Sequence, residues 1–267
     1  MVRRFAIPTL AALAALTASP VVRAADFSPP PPMIVQPEPS NWYLRGQIGV
    51  GMNRFTIDYL PSPPNVGNGF AFDHHSIADT AFIGFGAGYN WNNWLRFDGT
   101  VEYRSRTQIT ARGVYDRTTG QGDAYQGFLT SWVFLANAYV DLGTWNCFTP
   151  FIGAGIGGSF NTMADLVDMG IGTTGAGFGR NSNQWSPAWA IYAGVGYDIS
   201  KNLKVDLTYR YLNFGSVIDT VDCIGGCSAD SYKFGNLQSH DIMLGLRWGC
   251  CDVAPPPPRY EPLRSRG

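Results

Sequence analysis

Residues 95–106 read LRFDGTVEYRSR, and the alternation in this stretch decides the fold class. Apolar residues such as Leu95 and Phe97 hold the odd positions, and charged residues such as Arg96 and Glu102 hold the even positions. Because successive side chains of a β-strand point to opposite faces, the pattern predicts a strand with one apolar and one ionic face. A soluble sheet would expose the ionic face to water, whereas a membrane barrel would enclose it.

The same alternation occurs in further stretches of the chain. The predicted strands are 41–55, 80–91, 94–110, 128–142, 148–161, 188–199, 203–215 and 239–249. Tight connections at 92–93, 143–147 and 200–202 alternate with long predicted loops at 56–79, 111–127, 162–187 and 216–238. Strands of this kind, joined alternately by short turns and long loops, are typical of outer-membrane barrels. We therefore predict an all-β fold, an eight-stranded antiparallel up-and-down transmembrane β-barrel.

Two features of the predicted strands favour an enclosed ionic face. Glycines such as Gly49, Gly86 and Gly155 share that face; they weaken an exposed strand but leave room for long side chains inside a narrow barrel. Aromatic residues stand at both ends of the apolar face, as interfacial girdles do in lipid. The predicted girdle residues are Trp42, Trp91, Tyr103, Phe148, Trp189, Tyr197 and Trp248, and Phe55 is assigned to the girdle near the long loops.

The beginning of the chain predicts export. Arg3 and Arg4 precede a short apolar run, and Val22-Arg23-Ala24 offers a cleavage site after Ala24. The run is too short to span a bilayer as a helix. We predict a cleaved signal peptide at 1–24, a Pro-rich periplasmic segment at 25–40, the outer-membrane barrel at 41–250, and a Pro-rich periplasmic tail at 251–267. Cleavage leaves 16 basic and 20 acidic residues, which does not suggest a nucleic-acid partner.

The ionic faces of the strands predict a charged lumen. Its main members are Arg45, Arg96, Asp98, Glu102, Arg104, Asp206, Arg210, Asp241 and Arg247, with Arg106, Asp141, Asp198 and Lys204 beside them. An eight-stranded barrel is only wide enough for side chains to fill it, and buried charges require partners. We expect a closed, charge-paired lumen in which Glu102 contacts an arginine. The alternative is a narrow porin or ion channel, although mixed charges do not resemble a selectivity ring.

Catalytic and metal-binding patterns are weak. Ser239, His240 and Asp241 raise the alternative of a lipid-modifying enzyme, but adjacent strand residues point to opposite faces. His74 and His75 lack further ligands at metal-binding spacing. We therefore predict no catalytic residue, no metal and no cofactor.

Five cysteines occur in this exported chain. Cys223 and Cys227 in CIGGC are the disulfide candidate, because the two intervening glycines allow a tight loop to close. The pairing of Cys147, Cys250 and Cys251 stays open.

The signal peptide, the asymmetry of the connections and the closing strand HDIMLGLRW (240–248) together resemble the small outer-membrane β-barrel family of alphaproteobacteria. These are opacity-like surface antigens related to the OmpA transmembrane domain. Asp241, Leu246 and Trp248 match the family's closing strand, whereas Met243 stands where that pattern usually has glycine.

The resemblance implies a structural protein of the outer membrane, with roles in envelope integrity, as a surface antigen, or in adhesion through four long extracellular loops. The implied partners are outer-membrane lipid and lipopolysaccharide, the barrel-assembly machinery during insertion, and host or environmental ligands at the loops. The resemblance carries over no catalytic residue.

Overall fold

The computed structural model describes residues 41–60, 70–172, 174–224 and 229–249. Its strands are β1 (Trp42–Leu60), β2 (Ala71–Ile77), β3 (Thr80–Asn90), β4 (Leu95–Asp116), β5 (Gln121–Asp141), β6 (Phe148–Ile171), β7 (Ala176–Gly179), β8 (Ser182–Ser200), β9 (Leu203–Asn213), β10 (Val217–Ile224) and β11 (Asp230–Gly249). Within these ranges, no helix is long and apolar enough to cross a bilayer.

A closed antiparallel ring forms the body of the molecule. The ring runs in the order β1-β3-β4-β5-β6-β8-β9-β11, and β11 closes it by pairing with β1. Tyr43 lies opposite Gly249, so the described chain begins and ends at the same end of the ring. We call this end the base; it also carries the tight connections at 91–94, 142–147 and 201–202. The prediction of an all-β, antiparallel, up-and-down barrel is confirmed.

The number of strands differs from the prediction, since the described residues form eleven strands, of which eight make up the ring. β2, β7 and β10 prolong β3, β8 and β9 past short interruptions, and they pair with β4, β6 and β11 beyond the ring. The described parts of the predicted long loops are therefore mostly strand. We call this extension the crown: residues 55–60, 71–77, 107–129, 163–172, 174–179, 217–224 and 229–237.

Buried polar side chains stabilise one of these interruptions. The carbonyl oxygen of Phe214 lies between β9 and β10 and accepts hydrogen bonds from Ser159 Oγ at 2.6 Å and Asn161 Nδ2 at 2.8 Å. Ser186 Oγ donates to the carbonyl oxygen of Ser216 at 2.8 Å. Because these side chains replace missing ladder bonds, the barrel continues from ring to crown without unsatisfied carbonyls at this point.

Two sequence assignments to the barrel faces were wrong. The register of β4 shifts between Arg104 and Thr107, and a bulge of this kind exchanges the inward and outward positions. Arg106, expected in the lumen, is therefore exposed and pairs with Asp165 at 2.5 Å. Phe55, expected in the girdle, is only 6% exposed; it points inward like Arg45 on the same strand, into a crown interior that is apolar.

Several predictions concern residues outside the described ranges. These are the signal peptide 1–24, the Pro-rich segments 25–40 and 251–267, and Cys227, Cys250 and Cys251. Among the described cysteines, Cys223 is disulfide-bonded, and Cys147 is free and exposed.

Candidate functional site: the enclosed charges and the crown

The exterior of the ring is apolar, with aromatic side chains near both of its ends. The predicted girdle residues all lie outside, from Tyr103 at 36% exposed to Trp91 at 67%. Phe148 contacts Tyr197 near the base with ring centroids 5.0 Å apart, and Tyr103 contacts Trp132 near the crown at 4.9 Å. An apolar belt between two aromatic girdles fits the hydrocarbon layer of a membrane and its two interfaces.

Four charged side chains form a compact group at the centre of the ring. Arg104 contacts Glu102 at 3.1 Å and Asp241 at 3.0 Å. Arg210 contacts Glu102 at 2.8 Å and Asp241 at 2.5 Å. Each arginine thus bridges both carboxylates, and all four side chains are at most 3% exposed. Such mutual pairing offsets the large cost of burying charge, and β4, β9 and β11 supply the residues.

Glycine at position 51 makes room for this central group. A side-chain carbon on Gly51 would lie 2.2 Å from Asp241 Oδ1 and 2.3 Å from an Arg104 nitrogen. The narrow ring therefore holds two arginines and two acids at this level because Gly51, the neighbour of Asp241 on β1, has no side chain.

Further ion pairs fill the ring between its centre and the base. Arg247 binds Asp206 through two hydrogen bonds of 2.6 and 2.8 Å, and Arg45 contacts Asp98 at 3.2 Å. Arg96 contacts Asp141 at 3.1 Å. Its guanidinium carbon lies 4.3 Å from the centre of the Tyr139 ring. Nearer the base surface, Lys204 and Asp198 form a partly exposed pair at 2.8 Å.

The structure separates the residues of the hydrolase alternative. Ser239 Oγ points inward, where it contacts Asp241 Oδ1 at 2.5 Å and Arg104 at 2.7 Å. His240 points outward, and its Nδ1 lies 2.7 Å from the hydroxyl of Tyr209. The serine and the histidine therefore face opposite sides of the wall. Within the described ranges, no group of three or more histidine, cysteine or acidic side chains is arranged to hold a metal ion.

The crown interior is apolar, in contrast to the ring interior. Phe234, Leu237, Met163 and Val217 are fully buried there. The remaining buried residues include Phe55, Ile57, Ile77, Ile109, Ala111, Val114, Leu129, Leu166 and Val221. The outer face of the crown carries exposed polar side chains such as Arg112. The crown thus has the inside-outside pattern of a water-exposed β-protein.

Tyrosines and carboxylates lie at the distal end of the crown interior. Tyr115 and Tyr125 donate hydrogen bonds to Asp123, and the hydroxyls of Tyr125 and Tyr232 lie 2.9 Å apart. Burial, and then the negative charges of Asp123 and Asp230, raise the pKa of Asp168 to about 7. Burial also raises the pKa of Asp123, against the hydrogen bonds from its two tyrosines.

The outer face of the crown also carries an apolar surface, the crown patch, made of Val167, Met169, Ala176, Phe178 and Ile224. Across the β6–β7 pair, Val167 lies opposite Phe178 and Met169 lies opposite Ala176. Across the β7–β10 pair, Ala176 lies opposite Ile224. Residues opposite one another share a face. Met169, Phe178 and Ile224 are 61%, 50% and 64% exposed. A pocket of about 460 Å³ opens beside Val167 and Met169.

Two exposed ion pairs flank the crown patch. Arg180 contacts Asp222 at 2.5 Å, and Arg106 contacts Asp165 at the same distance. The sequence prediction missed this surface because it assigned 162–187 and 216–238 to loops. The signal that could have revealed it is the alternation of apolar residues at Val167, Met169 and Ile171, in the second half of β6.

Comparison with known proteins gives the same architecture. The model of a family described as "Outer membrane protein beta-barrel domain" matches residues 9–248. A solved structure, the outer membrane protein OprG of Pseudomonas aeruginosa, is 11% identical and covers 80% of this chain and 98% of its own, with a TM-score of 0.50. At this identity the likeness concerns the fold alone.

Three relatives are similar in sequence. An uncharacterized protein of Brucella abortus is 29% identical, over 88% of this chain and 92% of its own length. A Rickettsia conorii protein designated a candidate adhesin is 28% identical, over 64% of this chain and 68% of its own. Outer membrane protein PagN of Salmonella typhimurium is 26% identical, over 77% and 88%.

Proposed function

The chain belongs to the outer membrane protein β-barrel domain family, and from that premise we propose that it is a closed surface barrel whose crown binds protein ligands outside the cell. It resides in the bacterial outer membrane, as its family does. The crown patch carries the proposal, because an apolar surface of this kind on a water-exposed wall is typical of an interaction site.

The orientation follows from the two ends of the barrel. The base has the tight turns that outer-membrane barrels direct toward the periplasm, whereas the long strands of the crown correspond to their extracellular side. The polar outer wall and apolar interior of the crown support its exposure to water. In this orientation both ends of the described chain face the periplasm.

Adhesion is the surface function that the relatives favour. The designation of the Rickettsia protein as a candidate adhesin supports this role for the crown. The flanking pairs Arg180–Asp222 and Arg106–Asp165 are each neutral, so the surroundings of the patch favour an apolar side chain of a protein ligand over a polyanion.

The adhesion proposal is tested with the double variant Met169→Ser, Phe178→Ser. We expect bacteria that display it to bind cultured host cells less than bacteria displaying the unchanged barrel. Leu60→Ser is the control, because Leu60 is an exposed apolar crown residue on β1, outside the patch. Equal binding by the double variant, at equal surface amounts, contradicts a role for the patch.

The lumen is proposed to be closed at two levels. The bridged charges of Glu102, Arg104, Arg210 and Asp241 fill the ring, and the apolar crown interior lies above them. We expect no single-channel steps in planar-bilayer recordings of the refolded protein. Reproducible steps would favour the narrow porin instead.

The hydrolase alternative receives no support from Ser239 and His240, because their side chains lie on opposite faces of the wall. A lipid-modifying activity predicts altered acyl chains on lipid A when the protein is overexpressed. We expect mass spectrometry of lipid A to show no change.

A further inference from the structure

The crown wall has a gap between two neighbouring strands, β1 and β2. The β1–β3 ladder ends at the pair Gly51–Thr80. Beyond it, β2 pairs with β4 but forms no ladder with β1 among the described residues. The facing edges of residues 52–60 and 71–77 therefore carry backbone N–H and C=O groups outside any ladder that the described residues form. We call this opening the seam.

A pocket of about 250 Å³ occupies the seam where it begins. Its lining residues are Asn53, Arg54, Phe55, His75, Ser76 and Ile77. Because both the outward Arg54 and the inward Phe55 line it, the pocket lies within the thickness of the wall. The lining residues carry guanidinium, imidazole, hydroxyl and amide groups, and no carboxylate belongs to the lining.

The polar side chains of the pocket differ in whether they already form hydrogen bonds or ion pairs within the protein. Asn53 is engaged, because its Nδ2 donates to the carbonyl oxygen of Ala78 at 2.8 Å and to Thr80 Oγ1 at 2.7 Å. The rings of His75 and Phe55 lie nearly perpendicular to each other, with their centroids 5.1 Å apart. Arg54 is exposed and forms no ion pair with another described residue. A guanidinium beside hydroxyl and backbone donors is a chemistry that binds phosphate oxygens.

The position of the pocket along the barrel axis, relative to the membrane interface, indicates the source of such a phosphate. Arg54 follows Met52, which faces outward at the end of the apolar belt and lies opposite His240. Two residues along a strand advance about 7 Å. The aromatic girdle at this end, which includes Tyr103 and Trp189, marks the membrane interface. The seam pocket therefore opens where lipid headgroups lie.

We propose that the seam pocket binds the phosphate group of an outer-leaflet lipid headgroup, with Arg54 as its principal ligand and His75 and Ser76 beside it. The proposal rests on the orientation given under Proposed function, with the crown outside the membrane. It is independent of adhesion and of lumen closure, because neither involves Arg54. The bound headgroup would fill the gap that the missing β1–β2 ladder leaves in the wall.

The test uses the full chain refolded in neutral detergent and native mass spectrometry with added lipid. The probes are diphosphoryl lipid A and the same lipid without its phosphates. We expect Arg54→Gln to weaken retention of the diphosphoryl lipid by about tenfold, the effect of losing one or two charge-assisted hydrogen bonds. Arg117→Gln is the control, because it removes the same charge from an exposed turn at the far end of the crown.

The outcomes of the experiment separate recognition of the lipid phosphate from acyl-chain binding and from binding of free phosphate. Equal retention by Arg54→Gln and the unchanged protein overturns the proposal, as does equal retention of the lipid without phosphates, which would indicate acyl-chain binding alone. Displacement of the lipid by millimolar inorganic phosphate overturns the lipid assignment in favour of a site for the free ion. Heat-modifiable gel mobility verifies that every variant is a folded barrel, and a normal adhesion phenotype of Arg54→Gln keeps this result separate from the proposed function.

Discussion

The ring and the crown share strands but have opposite distributions of polar and apolar side chains between interior and exterior. In the ring, charged side chains such as Arg210 and Asp241 fill the interior and apolar side chains such as Leu246 cover the exterior. In the crown, Phe234 and Leu237 fill the interior, and polar residues dominate the exterior. β11 contains both patterns within twenty residues.

The difference shows that the surroundings decide which face is apolar. Lipid favours apolar side chains on the exterior of the ring and leaves the narrow interior to groups that must pair with one another. Water around the crown restores the usual hydrophobic driving force, so apolar side chains move inside. The inversion takes place near a layer of small polar residues that includes Ser131, Ser159 and Asn161, all buried.

The largest expected effect is on the charged centre of the ring. Asp241→Asn leaves Arg104 and Arg210 sharing one carboxylate, and removing one member of a buried ion pair costs about 3–5 kcal/mol. We expect urea-induced unfolding from lipid vesicles, followed by tryptophan fluorescence, to shift to lower denaturant concentration. Asp222→Asn is the control, because it breaks an exposed ion pair with Arg180 and should leave the midpoint unchanged. A similar midpoint for both variants would contradict the importance of the central group.

A smaller and more local effect is expected in the crown. Leu237 is fully buried, and Leu→Ala substitutions in packed cores cost about 2–5 kcal/mol. Leu237→Ala should accelerate hydrogen exchange in the crown while amides of the ring strands keep their protection. Leu246→Ala on the same strand is the matched control, because Leu246 is 52% exposed on the lipid-facing side. Uniform loss of protection in ring and crown would show that the two regions unfold as one unit.

The smallest effect concerns pH and is confined to the distal end of the crown. The pKa of Asp168 is raised to about 7, so the folded crown holds more protons than the unfolded chain between about pH 4 and this value. Crown stability therefore falls as pH rises through this window and is lowest above it. We expect hydrogen exchange in β6 of the crown, corrected for intrinsic rates, to be faster at pH 8 than at pH 5.

Asp168→Asn tests this cause directly, because the amide stays neutral and removes the contribution of Asp168 to the pH dependence. Asp58→Asn makes the same change at an exposed crown position and should behave like the unchanged protein. Persistence of the full pH dependence in Asp168→Asn would assign the effect to other groups, such as Asp123.

Much of the fold could be predicted from alternation alone. The strict period of two in the stretch around Glu102 identified strands, and the tight turns identified the base. The nine main charged positions predicted for the lumen, including Arg104 and Asp241, are buried inside the ring, whereas Arg106 is not. The bulge after Arg104 could not be predicted, since the residues on both sides of it continue an apparently regular pattern. Arg106 was assigned to the wrong face for this reason.

Alternation within the chain was enough to predict a β-barrel with a polar interior and an apolar belt, because every predicted ring strand carries one polar and one apolar face. Tertiary structure decided which charges meet, since Glu102 and Arg210 are distant in the chain and meet only through ring closure and register. It also decided that the predicted long loops become the crown. Apolar residues such as Phe234 and Val217 bury one another only when the strands that carry them lie side by side.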